Sequence, residues 1–544
     1  MKFFNRLRAL FGKEELDREL SGEMAFHLRK EINLNLRRRN LAVGLLTIAM
    51  PVIVATAASG QGNVTARIDS LVTAYYNEHE LSGNILVADH GRVIYQRSLG
   101  YADVDEKILN NDQTAFQIAS VSKIFTSIAI LQLEERGKLR LDDPIRKYLP
   151  DFPFEQITIR GLLSHTSGLN DYHIFEASHR ASPDRIFTNA DIIPALEKDP
   201  QAILAKPGEI WSYSNIGYSL LAMVVEKISG MPFPDYLAEF IFRPAGMSHT
   251  YLSSISKPVT DAKLCKNYDF VSYDPARLQN VDSILRDKVG HTILRGMYGN
   301  NNIVSTTADL LRLDQALYTS RLLKPESLQR AFVPEKLNSG EPDLGKWNDG
   351  TTVYYGLGWG VLADTSLGEV VYHQGGMPGT STIFLRDVTR GQTVILLDNV
   401  THRNVRVAGV NILRLLNDQP EHHYKLSLAR VYTADLLEKG PDDALAHFNE
   451  LKSDTDRYYL DEGELNGLGY EMLQDGHTPE ALEVLRLNTL LFPSSWNVYD
   501  SYADILDKVG KKEAATLMYE KAVQMNPQDD DGKRALSRLG APGN

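Results

Sequence analysis

The stretch Phe116–Ser127, F-Q-I-A-S-V-S-K-I-F-T-S, constrains the fold of this chain most strongly. Ser120 is followed three residues later by Lys123, and an apolar run then continues to Gly137. The run has the length of a helix, and a glycine often ends one. If Ser120 opens this helix, its hydroxyl and the Lys123 amine share one face. A buried amine with a lowered pKa can activate the serine as a nucleophile, and the free N–H groups of a helix start can face an oxyanion.

The Ser-x-x-Lys pattern is not specific by itself, because a second copy spans Ser254–Lys257. That copy lies in a polar, turn-like stretch ahead of Pro258 and has no apolar helix after it, so we interpret it as surface. The motifs that follow Ser120 further along the chain distinguish the first copy from the second.

The composition predicts a globular protein of more than one domain, with 544 residues, 43% hydrophobic and 24% charged. The net charge is −12, although residues 1–40 carry ten Lys or Arg against six Asp or Glu. This acidic balance argues against a nucleic-acid partner. The single cysteine, Cys265, excludes an internal disulfide framework and is interpreted as a small core residue.

The N-terminal region predicts a membrane or export segment. Residues 1–40 are interpreted as a cytoplasmic helical segment, and residues 41–58 contain no charge. Eighteen such residues are just long enough to cross a bilayer, and the basic flank Arg37–Arg39 would stay in the cytoplasm. A signal peptide cleaved after Ala57 is an equal alternative. We therefore expect a bacterial protein whose catalytic domain is exported, either anchored in the cell membrane or secreted. A later true start near Arg37 and a buried soluble helix are further alternatives.

From about Val64 the patterns predict an α+β domain. Apolar runs at 85–88 and 93–97 flank a hairpin signal, and strand patterns return over 369–399. The residues between them, from 140 to 290, are interpreted as mostly helical or loop-like. This arrangement predicts one antiparallel sheet built from both ends of the domain, with a helical insertion and a cleft where insertion and sheet meet.

From about residue 425 the chain predicts helices without strands. Gly476, Ala481 and Pro493 recur at an offset of 34 as Gly510, Ala515 and Pro527. Helix pairs with this period resemble tetratricopeptide repeats, which bury their faces by stacking. We expect residues 425–540 to form a separable helical domain. It either caps the catalytic domain or offers a docking surface for a protein partner.

Two further short motifs follow Ser120 and Lys123 in order. The first is Tyr213-Ser214-Asn215 and the second is His373-Gln374-Gly375. An acyl-transfer site needs a nucleophile, a proton shuttle and donors aimed at the carbonyl oxygen. The order and spacing of the three motifs are more restrictive than any one of them.

With these motifs, residues 64–415 resemble the serine β-lactamase and D,D-peptidase-like hydrolases, nearest to the class C β-lactamase, carboxypeptidase and esterase branch. The supporting stretches are F-Q-I-A-S-V-S-K, L-L-S-H-T-S-G-L (162–169), P-G-E-I-W-S-Y-S-N-I-G-Y (207–218), I-V-S-T-T-A-D-L (303–310) and Y-G-L-G-W-G (355–360). The resemblance implies a β-lactamase/transpeptidase-like fold, an antiparallel sheet flanked by helices with a helical insertion.

The resemblance also implies the roles of the site residues. Ser120 is the acylated nucleophile, and Lys123 and Tyr213 share the base and acid roles. Asn215 orients the substrate and Lys123. Residues His373 to Gly375 line the cleft as an edge strand, and the N–H groups of Ser120 and Gly376 form the oxyanion hole.

The third motif departs from the pattern. β-Lactamases of this branch carry Lys-Thr-Gly where this chain has His373-Gln374-Gly375, which resembles some D,D-peptidases and esterases instead. True β-lactamase activity is therefore in doubt. We expect His373 to titrate near pH ~6.5 and to attract a substrate carboxylate below that pH. The alternative is that His373 only shapes the edge strand.

The remaining candidates for catalysis are weaker. His165 has no Gly-x-Ser-x-Gly elbow beside it, so we give it a structural part. No His-x-His-x-Asp-His occurs, and the pair His422-His423 stands alone, so no metal and no cofactor are expected.

We therefore expect a serine hydrolase that acts through an acyl-enzyme on a D-amino-acid peptide, ester, amide or β-lactam-like carbonyl, its substrate a small molecule or a peptide. The alternative is a catalytically weak or inactive penicillin-binding scaffold that works through its helical repeats.

Overall fold

The computed structural model describes residues 60–253, 261–284, 296–343, 345–346, 351–402, 404–422 and 424–540. The predictions for residues 1–40, 41–58 and Ser254–Lys257 lie outside these residues. No helix within them is long and apolar enough to cross a membrane. The described chain divides into two compact units, one formed by residues 60–270 and 278–422 and the other by residues 271–277 and 424–540.

The first unit contains the strands that the sequence predicted at both ends, together with shorter ones between them. In chain order the strands up to residue 398 are β1 (Gly83–Asp89), β2 (Arg92–Leu99), β3 (Tyr101–Asp103), β4 (Ile108–Leu109), β5 (Phe116–Gln117), β6 (Tyr251–Leu252), β7 (Tyr268–Val271), β8 (Asp274–Asn280), β9 (Ile303–Ser305), β10 (Gly345–Lys346), β11 (Thr352–Tyr355), β12 (Gly360–Leu362), β13 (Val370–Met377), β14 (Thr380–Asp387) and β15 (Gln392–Asp398).

Eight of these strands form the main sheet, in the order β10-β11-β12-β13-β14-β15-β1-β2. Every neighbouring pair is antiparallel. The first strand of the chain lies beside the last one, with Leu86 opposite Ile395. The prediction of one antiparallel sheet built from both ends of the domain is therefore confirmed.

The pattern of side chains explains which strands are central. Every residue of β14 is buried, and β1 is buried from Gly83 to Ala88. Apolar residues on both faces suit a strand that is covered on both sides. The last strand of the sheet, β2, is mostly exposed or half-buried and carries Arg92 and Arg97, as expected for an edge strand.

Helices and turns fill the interval between the two groups of strands. The helices of this unit are α1 (Gly60–Asn77), α2 (Ser122–Glu135), α3 (Ile159–Leu163), α4 (Glu176–Ala181), α5 (Ile192–Lys198), α6 (Asn215–Ser229), α7 (Phe233–Leu237), α8 (Arg243–Ala245), α9 (Val281–Ile284), α10 (Thr307–Tyr318), α11 (Pro325–Phe332) and α12 (Val405–Leu416). Short 3-10 segments lie at Ala119–Val121, Ile145–Lys147, Tyr172–Phe175, Asn189–Asp191 and Thr365–Leu367, and a π segment lies at Ala238–Phe242.

Two helices between the two groups of strands carry the predicted motifs. Helix α2 is buried from Ser122 to Leu133, which explains its apolar sequence on all faces. Helix α6 begins after Ser214, whose hydroxyl accepts a hydrogen bond from the Gly217 N–H, and ends at Gly230 in the left-handed conformation. These are a serine N-cap and a glycine C-cap, so the local sequence fixes both ends of α6.

The second unit is mainly helical, as the sequence predicted for residues beyond 425, although it also contains two short strands that the sequence did not predict. Its elements are β16 (Leu426–Ser427), α13 (Leu428–Lys439), α14 (Pro441–Leu451), β17 (Tyr458–Tyr459), α15 (Glu462–Gln474), α16 (Thr478–Leu491), α17 (Trp496–Lys508), α18 (Lys512–Met525) and α19 (Asp530–Leu539). Gly476 and Gly510, which share the 34-residue offset, both adopt positive φ at the turn inside a helix pair. Ala481 and Ala515 are both fully buried. The tetratricopeptide identity itself stays a prediction.

The helical unit contains one segment that the sequence did not assign to it. The tip of the hairpin β7–β8, residues 271–277, belongs to this unit. Val271 and Tyr273 are buried in one apolar cluster with Leu428, Tyr432 and other residues of the helices. The Tyr273 hydroxyl also donates a 2.5 Å hydrogen bond to Asp475. The helical unit is therefore completed by a segment that precedes it in the chain by more than a hundred residues.

Candidate active site

The turn before α2 presents Ser120. Strand β5 ends at Gln117, and Ala119 then adopts φ +44°, a left-handed conformation that costs energy for a residue with a Cβ. The Val121 N–H donates back to the Ile118 carbonyl, and the Ile118 N–H donates to Ile303 of β9. The strained turn is thus held from both sides, and it places Ser120 directly ahead of α2.

The Lys123 amine lies beside the serine hydroxyl. Its Nζ is 2.9 Å from Ser120 Oγ, 2.7 Å from Asn215 Oδ1 and 3.0 Å from the Asn300 carbonyl oxygen. The side chain is fully buried. Burial disfavours the ammonium and lowers the Lys123 pKa to about 7, while the nearby charge of Asp171 opposes this shift. Lys123 can therefore exchange a proton near neutral pH.

The Asn215 side chain bridges Lys123 and a carboxylate. Its Oδ1 accepts from Lys123, and its Nδ2 donates to Asp171 Oδ2 at 2.8 Å. The backbone N–H groups of Asn215 and Ile216 both donate to Asp171 Oδ1, at 2.8 and 3.2 Å. These bonds fix the orientation of the amide, because only its oxygen can face the lysine.

The Tyr213 phenol completes the predicted group. Lys123 Nζ lies 4.7 Å from the centre of its ring. Burial raises the pKa of Tyr213 above its usual range, although a hydrogen bond with Ser120 partly opposes the shift. The phenol is therefore protonated at neutral pH. The structure thus brings Ser120, Lys123, Tyr213 and Asn215 together as predicted.

His165 packs on this group as an aromatic spacer. Its ring centre lies 4.2 Å from that of Tyr213 and 4.8 Å from that of Tyr355. Its Nδ1 accepts from the Ser214 N–H at 3.1 Å. Burial and the charge of Lys123 keep the His165 pKa well below its usual range, so the ring stays neutral. The ring therefore contacts Tyr213 as a neutral group, which suits the structural part predicted for His165.

The structure corrects the expectation for His373. Its Nδ1 lies 2.7 Å from the Gln374 carbonyl oxygen, and its Nε2 lies 2.9 Å from the Tyr355 hydroxyl. A carbonyl only accepts, so Nδ1 carries the proton and Nε2 accepts from Tyr355. Burial, aided by the Lys123 charge, lowers the His373 pKa to about 3. The expectation that His373 titrates near pH ~6.5 and reads a carboxylate is therefore wrong, because the ring is buried and neutral.

The two glycines after His373 differ in their surroundings. A Cβ at Gly375 would overlap the Ile118 carbonyl oxygen and the Thr382 hydroxyl, whereas a Cβ at Gly376 would meet open space. Gly375 therefore lets β13 approach the nucleophile turn closely, and Gly376 is exposed. Among the described residues, the pairing of β13 with β12 ends at Tyr372. Residues 373–377 thus form an open strand edge beside Ser120.

A cation lies near this edge. Arg406, at the start of α12, donates a 3.0 Å hydrogen bond to the Gln374 side-chain oxygen. Gln374 stands in the position where the resembling β-lactamases carry threonine. The edge strand therefore has an arginine next to it, although its own motif lacks a lysine.

Sequence reasoning missed Asp171, Tyr355 and Asn300. Asp171 lies just beyond the stretch 162–169 that carried the resemblance, and Tyr355 opens the stretch 355–360. Tyr355 reaches His373 by a side chain, and Asn300 reaches Lys123 by its backbone. No periodic pattern signals such contacts. Among the residues that the structure describes, no group of three or more His, Cys, Asp or Glu could hold a metal ion.

Comparisons with known proteins show the family to which this chain belongs. The Beta-lactamase family model matches residues 68–419, well over half of the chain. The chain therefore belongs to the Beta-lactamase family, whose members with this fold are serine hydrolases. The resemblance found in the sequence and the predicted β-lactamase/transpeptidase-like fold are confirmed.

Three relatives illustrate the match. Penicillin-binding protein 4* of Bacillus subtilis (strain 168) is 36% identical over 343 residues, which cover 62% of this chain and 72% of that protein. The crystal structure of a penicillin binding protein from Bacillus halodurans is 26% identical, with a TM-score of 0.51, and the match covers 64% of this chain and 99% of that one. The structure of the D-amino acid amidase from Ochrobactrum anthropi SV3 is 23% identical, with a TM-score of 0.54, and the match covers 66% of this chain and 99% of that one. This last likeness concerns the fold alone.

Proposed function

We propose that this protein is a hydrolase that forms an acyl-enzyme at Ser120, acting on a D-amino-acid peptide, ester or amide. The observation that carries the proposal is the 2.9 Å approach of a buried amine with a pKa near 7 to the serine hydroxyl. A positioned base with a pKa near the working pH is what general base catalysis requires.

In the first step the neutral Lys123 accepts the Ser120 proton. A neutral amine has two N–H bonds and one lone pair, and the geometry provides a partner for each. Asn215 Oδ1 and the Asn300 carbonyl oxygen accept hydrogen bonds from the two N–H groups, so the lone pair faces Ser120 Oγ. Oγ then bonds to the substrate carbonyl carbon. The resulting oxyanion is stabilised by the N–H groups of Ser120 and Gly376.

In the second step the leaving group takes a proton and departs. The protonated Tyr213 donates its proton to the leaving nitrogen or oxygen as the carbon–leaving-group bond breaks, and the Lys123 ammonium restores that proton to the phenolate. A water molecule then attacks the ester carbonyl and gives its proton to Lys123. The Lys123 ammonium returns this proton to Ser120 Oγ as the acid product leaves, so protons and bonds balance over the cycle.

The substrate class is supported by two observations. The relative from Bacillus subtilis is named a penicillin-binding protein, and penicillins carry an acyl group that acylates a serine. The strand edge beside Ser120 has a neutral His373 where the resembling β-lactamases have a lysine. We therefore expect D-amino-acid amides and esters to turn over and β-lactams to acylate the serine slowly.

Intact-protein mass spectrometry tests this function. Wild type and Ser120→Ala are incubated with a fluorophosphonate and, separately, with a penicillin, and labelled protein is mapped by peptide analysis. We expect one adduct of each reagent on Ser120 and none on Ser120→Ala. A label on Ser254, or no label on wild type, would overturn the assignment. A stable penicillin adduct without turnover of any ester would favour the alternative of a penicillin-binding scaffold.

We also propose that residues 41–58 place the catalytic unit outside the cytoplasm. The support is the uncharged run of eighteen residues behind the basic flank 37–39. An alkaline phosphatase fused after residue 64 should be active in bacterial cells. An inactive fusion at normal abundance would contradict export. If the fusion is active, cell fractionation then distinguishes a membrane anchor, which keeps the protein in the membrane fraction, from a cleaved signal, which releases it.

A further inference from the structure

We propose that Asp171 is a positioning residue of this site, which aims Asn215 at Lys123 and supplies the negative charge that keeps Lys123 available as a proton carrier. This inference rests on the proposed function, because it assigns Asp171 a part in the chemistry at Ser120. Neither the three sequence motifs nor the comparisons with relatives assign a role to this residue.

The contacts of Asp171 are those of an ionised carboxylate. Oδ1 accepts from two backbone N–H groups, those of Asn215 and Ile216, and Oδ2 accepts from the Asn215 side chain. Both oxygens therefore accept, and three donors favour the charged form. Burial acts in the opposite direction and raises the Asp171 pKa from its usual value. The carboxylate also faces the start of α6, where a negative charge is favourable.

The loop that carries Asp171 is held in place. The Asn170 N–H donates to the Ala202 carbonyl at 2.9 Å, and its side chain donates to the Gln201 carbonyl at 3.0 Å. The Ser214 hydroxyl, which also caps α6, donates to the Asn170 carbonyl at 3.4 Å. Because the loop is fixed to the insertion and to the helix cap, Asp171 sets the position of Asn215.

The charge of Asp171 acts on a lysine that is otherwise surrounded by neutral groups. Five titratable side chains face Lys123, and they come from three parts of the chain: His165 and Asp171, Tyr213 and Tyr218, and His373. Both tyrosines are held protonated by burial, and both histidines are held neutral. The groups that face Asp171 itself are Lys123, Tyr172 and Tyr213. Asp171 is thus the one negative charge in this described set.

Two effects follow from removing that charge. Lys123 would lose a proton at lower pH, so the acid limb of the rate profile would move to lower pH. An asparagine at 171 would offer one acceptor oxygen instead of two to the three donors, so Asn215 and Lys123 would be held less precisely and the maximal rate would fall. A residue that only held the loop would change the rate and leave the acid limb in place.

The test measures kcat and KM for a neutral p-nitrophenyl ester from pH 5.5 to 9 in four full-length proteins: wild type, Asp171→Asn, Asp171→Glu and the control Asp184→Asn. Asp184 is an exposed carboxylate in the same insertion. We expect Asp171→Asn to lower kcat by about tenfold or more. Its acid limb should move down by at least about 0.5 pH unit. Asp171→Glu keeps the charge, so it should retain the wild-type limb at a reduced kcat, and Asp184→Asn should match wild type.

The outcomes separate this inference from the proposed function. Fluorophosphonate labelling of wild-type Ser120 is measured alongside, and its absence would refute the function rather than the role of Asp171. With labelling intact, a normal kcat in Asp171→Asn would overturn the inference. A lower kcat with an unmoved acid limb would overturn it as well, and so would equal shifts in Asp171→Asn and Asp171→Glu. The thermal midpoint of each variant confirms that the compared proteins are folded.

Discussion

The amine of Lys123 lies 2.9 Å from the hydroxyl of Ser120, and its other two hydrogen bonds go to uncharged carbonyl oxygens. The nearest carboxylate in this group, Asp171, reaches Lys123 only through the amide of Asn215. Burial therefore outweighs the attraction to that carboxylate, and the Lys123 pKa falls to about 7.

The first prediction concerns the pH profile. Lys123 is the base only in its neutral form, so kcat/KM for a neutral ester should rise with pH and level off above an apparent pKa of about 7. Steady-state kinetics between pH 5.5 and 9 measure this profile. A flat profile through pH 7 would show that Lys123 has the same protonation state throughout.

The second prediction concerns the lysine itself. Lys123→Ala should lower kcat/KM by ~10² or more, because that is the usual contribution of a positioned proton acceptor. Lys138→Ala, which removes an exposed lysine after α2, serves as the control and should behave as wild type. A near-normal rate in Lys123→Ala would give Lys123 a purely structural part.

The third prediction replaces the sequence-based expectation for His373. With a pKa of about 3, His373 stays neutral between pH 5.5 and 7.5. The difference between the KM curves of a carboxylate-bearing substrate and of its neutral ester should therefore be the same in wild type and in His373→Gln, since only Lys123, with its pKa of about 7, loses a charge in the site over this range. If KM rises for the charged substrate alone in wild type and this rise disappears in His373→Gln, then His373 is the group that loses a positive charge.

The fourth prediction uses two adjacent glycines as a matched pair. Gly375→Ala should impair folding or acylation, because the added methyl group would overlap the Ile118 carbonyl and the Thr382 hydroxyl. Gly376→Ala should leave the thermal midpoint nearly unchanged, because its methyl group meets open space. Thermal unfolding and fluorophosphonate labelling of both variants provide the comparison. Equal effects of the two substitutions would contradict the close approach of β13 to the nucleophile turn.

The fifth prediction concerns the helical unit. Tyr273→Ala should lower the free energy of unfolding of that unit by about 3 kcal/mol, since it removes a fully buried aromatic side chain. Leu517→Ala, at an exposed position of α18, should change it by less than about 0.5 kcal/mol. Calorimetry of the full-length variants measures both. An unaltered transition in Tyr273→Ala would mean that the hairpin tip is not part of this core.

The sequence predicted those parts of the structure that depend on local pattern and on order along the chain. The apolar run after Lys123 predicted α2, and strand patterns at both ends predicted the sheet that joins Leu86 to Ile395. The three ordered motifs predicted the residues that converge on Ser120.

Contacts between side chains distant in the chain were not predictable in this way. Asp171 binds the start of α6 through hydrogen bonds from Asn215 and Ile216, and Tyr355 binds Nε2 of His373; such contacts leave no periodic signal. The interval 140–290 was interpreted as helices and loops, so the hairpin β7–β8 was missed. Burial of His373 reversed the expectation for its charge, because the environment of a side chain depends on the whole fold.

The placement of residues 271–277 has a consequence for biosynthesis. Val271 and Tyr273 leave the ribosome long before the helices that bury them, so the nascent chain carries two uncovered apolar side chains while the rest is translated. Chaperones bind such surfaces, and long-range pairing is slow to form. A polypeptide that terminates before residue 424 would keep this hairpin tip uncovered permanently. Premature termination should therefore yield an aggregation-prone product even though every residue of the Ser120 site has been made.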